Sequence, residues 1–269
     1  MDIVTIPYHY FASLYHTVRR PNSFHHVRTY IMFIGYPRSG HTLIGFLLDA
    51  HANAMIASQT TALRYLRHGF SVRQTFHMLS ENSRRVSKVG REGRPYSYDV
   101  PNQWQGRCEK LKVIGDCTGF TRLRRNPELL KTLREKLGEI DLRLIHVVRN
   151  PYDNISTMKL RSGEPLSDAV NRYFAMCELV EHLKRHVAPG AVYDLRHEAL
   201  ISDARGALRN LCDFVGLSAS EDYLNACAGI VYKSPHKSRH EVAWTQELID
   251  SVKQHMLHFA HLSGYSYED

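Results

Sequence analysis

The sequence predicts a three-layer α/β fold, in which a central parallel β-sheet is flanked by helices. Short, continuous apolar runs that end in glycine or a polar residue are typical of strands buried on both faces. Four such runs occur with helical segments between them: YIMFIG (30–35), LKVIGD (111–116), LRLIHVV (142–148) and AVYDL (191–195). Strands that alternate with helices favour a parallel sheet that is covered on both sides.

The chain length and composition predict a single domain. The 269 residues, of which 43% are hydrophobic, can bury the core of one α/β domain or of two small ones, and we expect one domain over residues 1–269. A long insert, residues 52–110, separates the first two predicted strands. Its second half, SKVGREGRPYSYDVPNQWQGR, lacks periodicity and predicts a lid or a pocket wall, with a plain surface loop as the alternative.

The charge balance favours an anionic ligand. Lys and Arg number 35 against 27 Asp and Glu, which gives a net charge of +8. The short basic runs are scattered, so we do not expect a nucleic-acid partner. Five cysteines without a C-x-x-C pair, and 17 histidines without a recognisable ligand pattern, predict a reducing compartment and no metal. No signal peptide or apolar span is evident, so we expect a cytoplasmic protein with no membrane partner.

A glycine-bounded turn, GYPRSGHT (35–42), follows the first predicted strand and precedes a predicted helix. It matches the phosphate-loop consensus G-x-x-x-x-G-K-[ST], except that His41 occupies the lysine position. Backbone N–H groups at such a strand-to-helix turn bind anions. A tight turn without a ligand is one alternative. A nucleotide kinase with a degenerate loop is another, in which Thr42 and Asp116 would hold magnesium.

A second candidate anion site follows the strand LRLIHVV, in the segment RNPYDNIST. Arg149 lies at the predicted strand end, and Thr157 lies about two turns along the next helix. Asn150 and Pro151 suit the cap and the first turn of that helix. An arginine and a hydroxyl placed in this way can hold a phosphate from two sides, which predicts a nucleotide with phosphates at both ends.

The two segments together resemble the sulfotransferases that use 3'-phosphoadenosine-5'-phosphosulfate (PAPS). In that family Y-P-[KR]-S-G-T-T binds the 5'-phosphosulfate, and an R-x-P or R-N segment with Ser or Thr eight residues later binds the 3'-phosphate. YPRSGHT (36–42) and RNPYDNIST (149–157) match these motifs. HKSRHEVAW (236–244) is similar to the late basic loop of the family, and the resemblance extends over about residues 30–265.

The resemblance implies a set of residues that bind PAPS. Arg38 stands in the place of the family's loop lysine, which bridges the phosphosulfate and stabilises charge on the leaving phosphate. The other implied donor-binding residues are Ser39, Gly40, His41, Thr42, Leu43, Arg149, Thr157 and Arg239. His41 replaces a threonine of the motif, and either contacts the phosphosulfate or caps the helix. His197 replaces a tyrosine of the family's Y-E-D-L-x-x-x-P element and lies either near the adenine or on the surface.

The catalytic base is the point at which the sequence departs from the family. Neither the histidine expected after the second core strand nor the glutamate expected after the first helix is present; the chain has GDCTGF and IASQTTALRYL there. Asp116 is the nearest substitute, and a cap or a loop hydrogen bond is the alternative role for its carboxylate. His41 is the second candidate. Arg38, Asp116 and His41 are therefore the predicted catalytic residues.

These observations predict a PAPS-dependent sulfotransferase that acts on a hydroxyl, or alternatively an amine, of a small-molecule or carbohydrate-like acceptor, without a metal. The rival functions are a nucleotide kinase and a non-catalytic protein that binds the nucleotide but has lost its base. The sequence carries no signal for the identity of the acceptor or for the oligomeric state.

Overall fold

A computed structural model describes residues 5–90 and 98–269. The strands are β1 (Thr29–Gly35), β2 (Ala54–Ala57), β3 (Val113–Asp116), β4 (Asp141–Val148) and β5 (Val192–Arg196). The helices are α1 (Ile6–Arg19), α2 (His41–Asp49), α3 (Ala62–Arg67), α4 (Val72–Val89), α5 (Phe120–Leu123), α6 (Leu129–Leu137), α7 (Pro151–Ser162), α8 (Leu166–Arg185), α9 (His197–Ser202), α10 (Ala204–Val215), α11 (Glu221–Ile230) and α12 (Gln246–Met256).

The strands form one five-stranded parallel sheet in the order β2-β3-β1-β4-β5. β1 is the central strand, and its Tyr30 is in register with Ile114 of β3 and Leu142 of β4. Because all the strands run in the same direction, their carboxyl ends meet at one edge of the sheet. The loop after β1 therefore lies between the segment that follows β3 and the segment that follows β4.

The two faces of the sheet bury two separate hydrophobic clusters. Along β1, Tyr30 and Met32 belong to one cluster, while Ile31 and Phe33 belong to the other. This alternation follows from the two-residue period of a strand, and helices cover both faces. The predicted three-layer α/β fold is confirmed.

The insert between the first two predicted strands is more regular than we expected. It contains the edge strand β2 and the helices α3 and α4. Ser71 caps α4 with a capping box, in which Ser71 and Gln74 bond reciprocally across the first turn. The predicted lid lies partly at residues 91–97, outside the described residues, and its assignment stays a prediction.

The longest described helix is α8, with 20 residues. This length would suffice for a bilayer, but charged residues recur along it, including Arg172, Glu181 and Lys184. Nowhere in residues 5–90 and 98–269 does a helix combine the length and the apolar character that crossing a membrane requires.

Candidate active site

The turn after β1 has positive φ values at three of its residues. Gly35 and Gly40 adopt φ values of 111° and 99°, which side chains disfavour, and Arg38 between them has a φ of 72°. Gly40 occupies the N-cap of α2, so the first N–H groups of that helix face the loop. A Cβ atom at Gly35 would lie 2.8 Å from Cδ2 of His146, so the turn also needs glycine for close packing.

A cavity of about 610 Å³ opens at the carboxyl edge of the sheet, over this loop. In the described part of the chain, the basic residues of its wall are arginines and histidines, and no aspartate or glutamate lines it. They are Arg38, His41, Arg124, Arg149, Arg161, His197 and His236. A cavity with four arginines and no carboxylate attracts an anionic ligand.

Arg149 lies at the end of β4 and lines this cavity. Its Nη1 donates to Oγ1 of Thr157 at 3.1 Å and to the carbonyl of Arg38 at 3.3 Å. Its Nη2 donates to Oγ of Ser238 at 3.0 Å and to the carbonyl of His236. Burial lowers the pKa of Arg149, and every one of these acceptors is a neutral oxygen. The guanidinium is thus held in position beside the cavity without an ion pair from the described residues.

Thr157 lines the cavity beside Arg149, so the structure brings this predicted pair together. Asn150 caps α7 by accepting from the backbone N–H of Tyr152 at 3.0 Å, as the sequence predicts. Arg161 lies one turn beyond Thr157 on α7 and also lines the cavity. The helical spacing of four residues could have identified Arg161 from the sequence.

Arg239 lies outside the residues that line the cavity, which differs from its predicted role as a phosphate ligand. Its side chain is only 2% exposed, and it forms a two-point ion pair with Asp153. The Nη2 to Oδ2 distance is 2.6 Å and the Nε to Oδ1 distance is 2.9 Å. Its Nη1 donates to the carbonyls of Ser266 and Tyr267. These contacts indicate that Arg239 joins α7 to the C-terminal segment.

Asp116 also lies outside the cavity wall, at the end of β3. The residue is fully buried, and its carboxylate accepts hydrogen bonds from the Tyr30 hydroxyl and from the backbone N–H groups of Ala62 and Thr118. Burial raises the pKa of Asp116. These contacts tie β3 to the start of α3, and they favour a structural role for Asp116 over the predicted role as a base.

The remaining loop residues divide between the cavity and the core. Gly40, His41, Thr42 and Leu43 line the cavity, whereas Ser39 is buried and absent from its wall. Nδ1 of His41 lies 3.4 Å from Oγ of Ser39. His41 is therefore the predicted catalytic residue, apart from Arg38, that the structure places at the cavity. In the described ranges, 5–90 and 98–269, no group of three His, Cys, Asp or Glu side chains could hold a metal.

His197 lines the cavity directly beside the loop. Its Cδ2 atom would be 3.3 Å from a Cβ atom at Gly40, and its Nε2 atom is buried with no hydrogen-bond partner in the described part of the protein. Burial lowers the pKa of His197 to about 4, so the imidazole is neutral near pH 7. The sequence allowed two positions for His197, near the adenine or on the surface. The structure places it in the wall of the cavity.

Two histidines with buried side chains contact the loop on its side facing the protein interior. His261 Nε2 is hydrogen-bonded to the Tyr36 hydroxyl at 2.8 Å, and burial lowers the pKa of His261 to about 3. His146 Nδ1 contacts Oδ1 of Asp194 at 2.6 Å. No sequence motif marks these contacts, because the partners lie between 48 and 225 residues apart.

The segment that follows β3 forms the cavity wall on the opposite side of the loop from Arg149. It contributes Cys117, Thr118, Phe120, Thr121 and Arg124. The sequence drew attention to Asp116 and missed its neighbours, because the run that contains Arg124 resembles any solvated basic segment.

Comparisons with known proteins show which sequences and folds this chain is similar to. Residues 125–221, which include Arg149 and Thr157, match the family model described as "Sulfotransferase family". A search of curated proteins finds no match. The sulfotransferase domain from the Synechococcus PCC 7002 olefin synthase superposes with a TM-score of 0.54 and 17% identity, over 85% of this chain and 93% of that domain.

Two further solved structures have the same fold. The sulfotransferase domain from the curacin biosynthetic pathway has a TM-score of 0.55 and 14% identity, over 87% of this chain and 98% of that domain. Sulfotransferase STF9 from Mycobacterium avium has a TM-score of 0.52 and 11% identity, over 92% and 81% of the two chains. The resemblance inferred from the sequence is thus confirmed: this chain has the fold of the sulfotransferases, and its residues 125–221 carry the pattern of the sulfotransferase family.

Proposed function

We propose that this protein transfers a sulfuryl group from PAPS to a hydroxyl of a small-molecule or carbohydrate-like acceptor. The observation that carries the proposal is that the loop after β1 and the Arg149 and Thr157 pair face one cavity, which has no carboxylate among its described lining residues. A ligand with phosphates at both ends meets a cation at each site. His197, whose side chain lines the same cavity beside Gly40, would contact the body of the nucleotide.

The topology supports separate donor and acceptor ends of the cavity. Arg149 follows β4 and the segment 117–124 follows β3, so the two lie on opposite sides of the central loop. With the nucleotide between the loop and Arg149, the acceptor occupies the side formed by Cys117, Thr118 and Phe120. Tyr98 of the insert lines the cavity as well, which supports a contribution of the insert to the acceptor pocket.

The proposed reaction requires a cation at the donor and a base at the acceptor. The acceptor oxygen forms a bond to sulfur while the bond between sulfur and the phosphate oxygen breaks, and the acceptor proton moves to a base. Arg38 lines the cavity from the loop and would stabilise the negative charge that develops on the leaving phosphate. Because Arg keeps its charge at all working pH values, it serves as an electrostatic group and leaves proton transfer to another residue.

His41 is the better placed of the two predicted bases. Its side chain lines the cavity at the start of α2, whereas the Asp116 carboxylate is buried and bonded to three donors. A base must come within hydrogen-bond reach of the acceptor hydroxyl, and geometry takes precedence over acidity in choosing it. We therefore assign the base role to His41.

The nucleotide is tested by calorimetry. We expect 3',5'-adenosine bisphosphate to bind without magnesium, and more tightly than ATP with magnesium. Replacing Arg149 by glutamine should weaken this binding by about 10- to 100-fold, because a hydrogen bond to a charged group contributes about 1.5–3 kcal/mol. Arg125→Gln, on the exposed surface outside the cavity, is the matched control and should leave the affinity unchanged. Tight binding of ATP with magnesium alone would favour the kinase.

The base is tested by comparing two variants. His41→Gln should lower kcat by about 10²-fold with donor affinity changed much less, because a positioned general base contributes at least that factor. Asp116→Asn should lower the stability and leave kcat of the folded protein unchanged. A His41→Gln enzyme with normal turnover would remove His41 from the role. Loss of kcat in a stably folded Asp116→Asn enzyme would return the role to Asp116.

A further inference from the structure

The first helix, α1, carries large apolar side chains on its outer face. Its buried residues are Ser13 and Thr17. Tyr8, Phe11, Tyr15 and Val18 are between 61 and 73% exposed. These four residues recur at spacings of three and four, so they form one continuous stripe along the outer face of the helix. An ordinary surface helix keeps its large apolar side chains against the core, whereas α1 carries this additional set on its outer face.

The inner face of α1 is held by polar contacts with α4 and by Ile6 and Tyr10, which pack against the hydrophobic cluster of Tyr65, Phe70 and Met78. Gln74 Nε2 donates to the Tyr10 carbonyl at 3.2 Å and to Oγ of Ser13 at 3.3 Å. Arg73 Nη2 donates to the Thr17 carbonyl at 3.0 Å. The attachment of α1 to the protein therefore does not use the aromatic stripe. Contiguous apolar residues on a surface mark an interaction site.

The surroundings of the stripe are cationic. α1 contains no aspartate or glutamate, and Arg19 at its end is followed directly by Arg20. A groove beside the stripe is lined by Tyr15, His16, Arg19, Arg20, Glu81 and Arg84. Among the described residues, the single carboxylate of this groove, on Glu81, is already in an ion pair with Arg84. The guanidinium of Arg19 lies 4.9 Å from the centre of the Tyr15 ring, which places a cation directly beside the apolar face.

We propose that the outer face of α1 docks on the surface of an anionic phospholipid bilayer. Aromatic and aliphatic side chains on one face, with basic residues beside them, are the chemistry of a helix that lies in the plane of a membrane interface. Anionic headgroups complement the cationic rim. A second copy of this chain fits less well, because a two-fold contact through α1 would bring two cationic rims together. The proposal revises our expectation of no membrane partner, and it does not rest on the proposed function.

The proposal is tested by sedimentation of the full chain with vesicles of phosphatidylcholine, with or without phosphatidylserine. We expect binding to the vesicles that contain phosphatidylserine and little binding to phosphatidylcholine alone. Phe11→Ser combined with Tyr15→Ser and Val18→Ser should lower the partition coefficient by at least tenfold. Leu257→Ser, which removes an equally exposed apolar residue from another surface, is the matched control and should bind as the parent does.

A charge variant tests the cationic rim separately. Arg19→Gln combined with Arg20→Gln should weaken binding to the anionic vesicles by about fivefold for each arginine. Added salt should also weaken this binding, because it screens the charges. Circular dichroism establishes that each variant is folded. Absence of binding to anionic vesicles, or equal binding of the parent and the triple serine variant, would overturn the proposal. A concentration-dependent dimer that the triple variant abolishes, without vesicle binding, would overturn it in favour of self-association.

Discussion

Replacing Arg38 by alanine is expected to lower kcat of the proposed sulfuryl transfer by about 10²- to 10³-fold, the usual effect of removing one preorganised group that stabilises developing negative charge. Arg38 lines the cavity, and its carbonyl accepts from Arg149, so the loop backbone is held next to the second anion site. The loss should fall on kcat more than on donor affinity, because charge accumulates on the leaving phosphate only as the bond to sulfur breaks.

Arg38→Lys is the matched control, since it keeps the charge and introduces the residue that the family motif carries more often. We expect it to retain most of the activity. The φ of 72° at this position strains any residue with a Cβ, and arginine, lysine and alanine share that strain. The comparison therefore isolates the side chain. If the alanine and lysine variants have equal kcat values, Arg38 does not act as the electrostatic group.

The positions of strands were predictable where a whole strand coincides with one continuous apolar run in the sequence. The predicted strand 142–148 agrees with β4 to within one residue, and the predicted strand 30–35 agrees equally well with β1. β2 was missed because AMIA is only four residues long and has no turn signal that separates it from the preceding helix. The order of the strands was not predictable either, because pairing between distant strands leaves no local pattern in a single sequence.

The site was predictable to the extent that it is local in sequence. The glycine positions of the loop and the spacing between Arg149 and Thr157 follow from short motifs, and the structure places both at one cavity. Asp116 and Arg239 were candidates for equally local reasons. Their actual partners, Tyr30 and Asp153, are each 86 residues away and hold both side chains outside the cavity. A charged residue at a strand end or in a basic loop can therefore be assigned as a ligand-binding residue only when its contacts in the folded protein are known.

Replacing Arg239 by glutamine is expected to lower the free energy of unfolding by about 3–5 kcal/mol, because it leaves the Asp153 carboxylate buried without its partner charge. Asp153 is 1% exposed, and it also accepts from the backbone N–H of Arg239 at 3.0 Å. The pair joins α7, which carries Thr157, to the segment that carries Ser238. Urea denaturation of the parent and variant proteins measures the difference.

The double variant Arg239→Gln and Asp153→Asn is the internal control for this ion pair. It should be less destabilised than the sum of the two single variants, because the second substitution removes the charge that the first leaves unpaired. The folded fraction of Arg239→Gln should bind 3',5'-adenosine bisphosphate within a few-fold of the parent, in contrast to Arg149→Gln. A stable Arg239→Gln protein with strongly weakened nucleotide binding would instead establish Arg239 as a phosphate ligand, because a purely structural ion pair would affect unfolding before it affected binding.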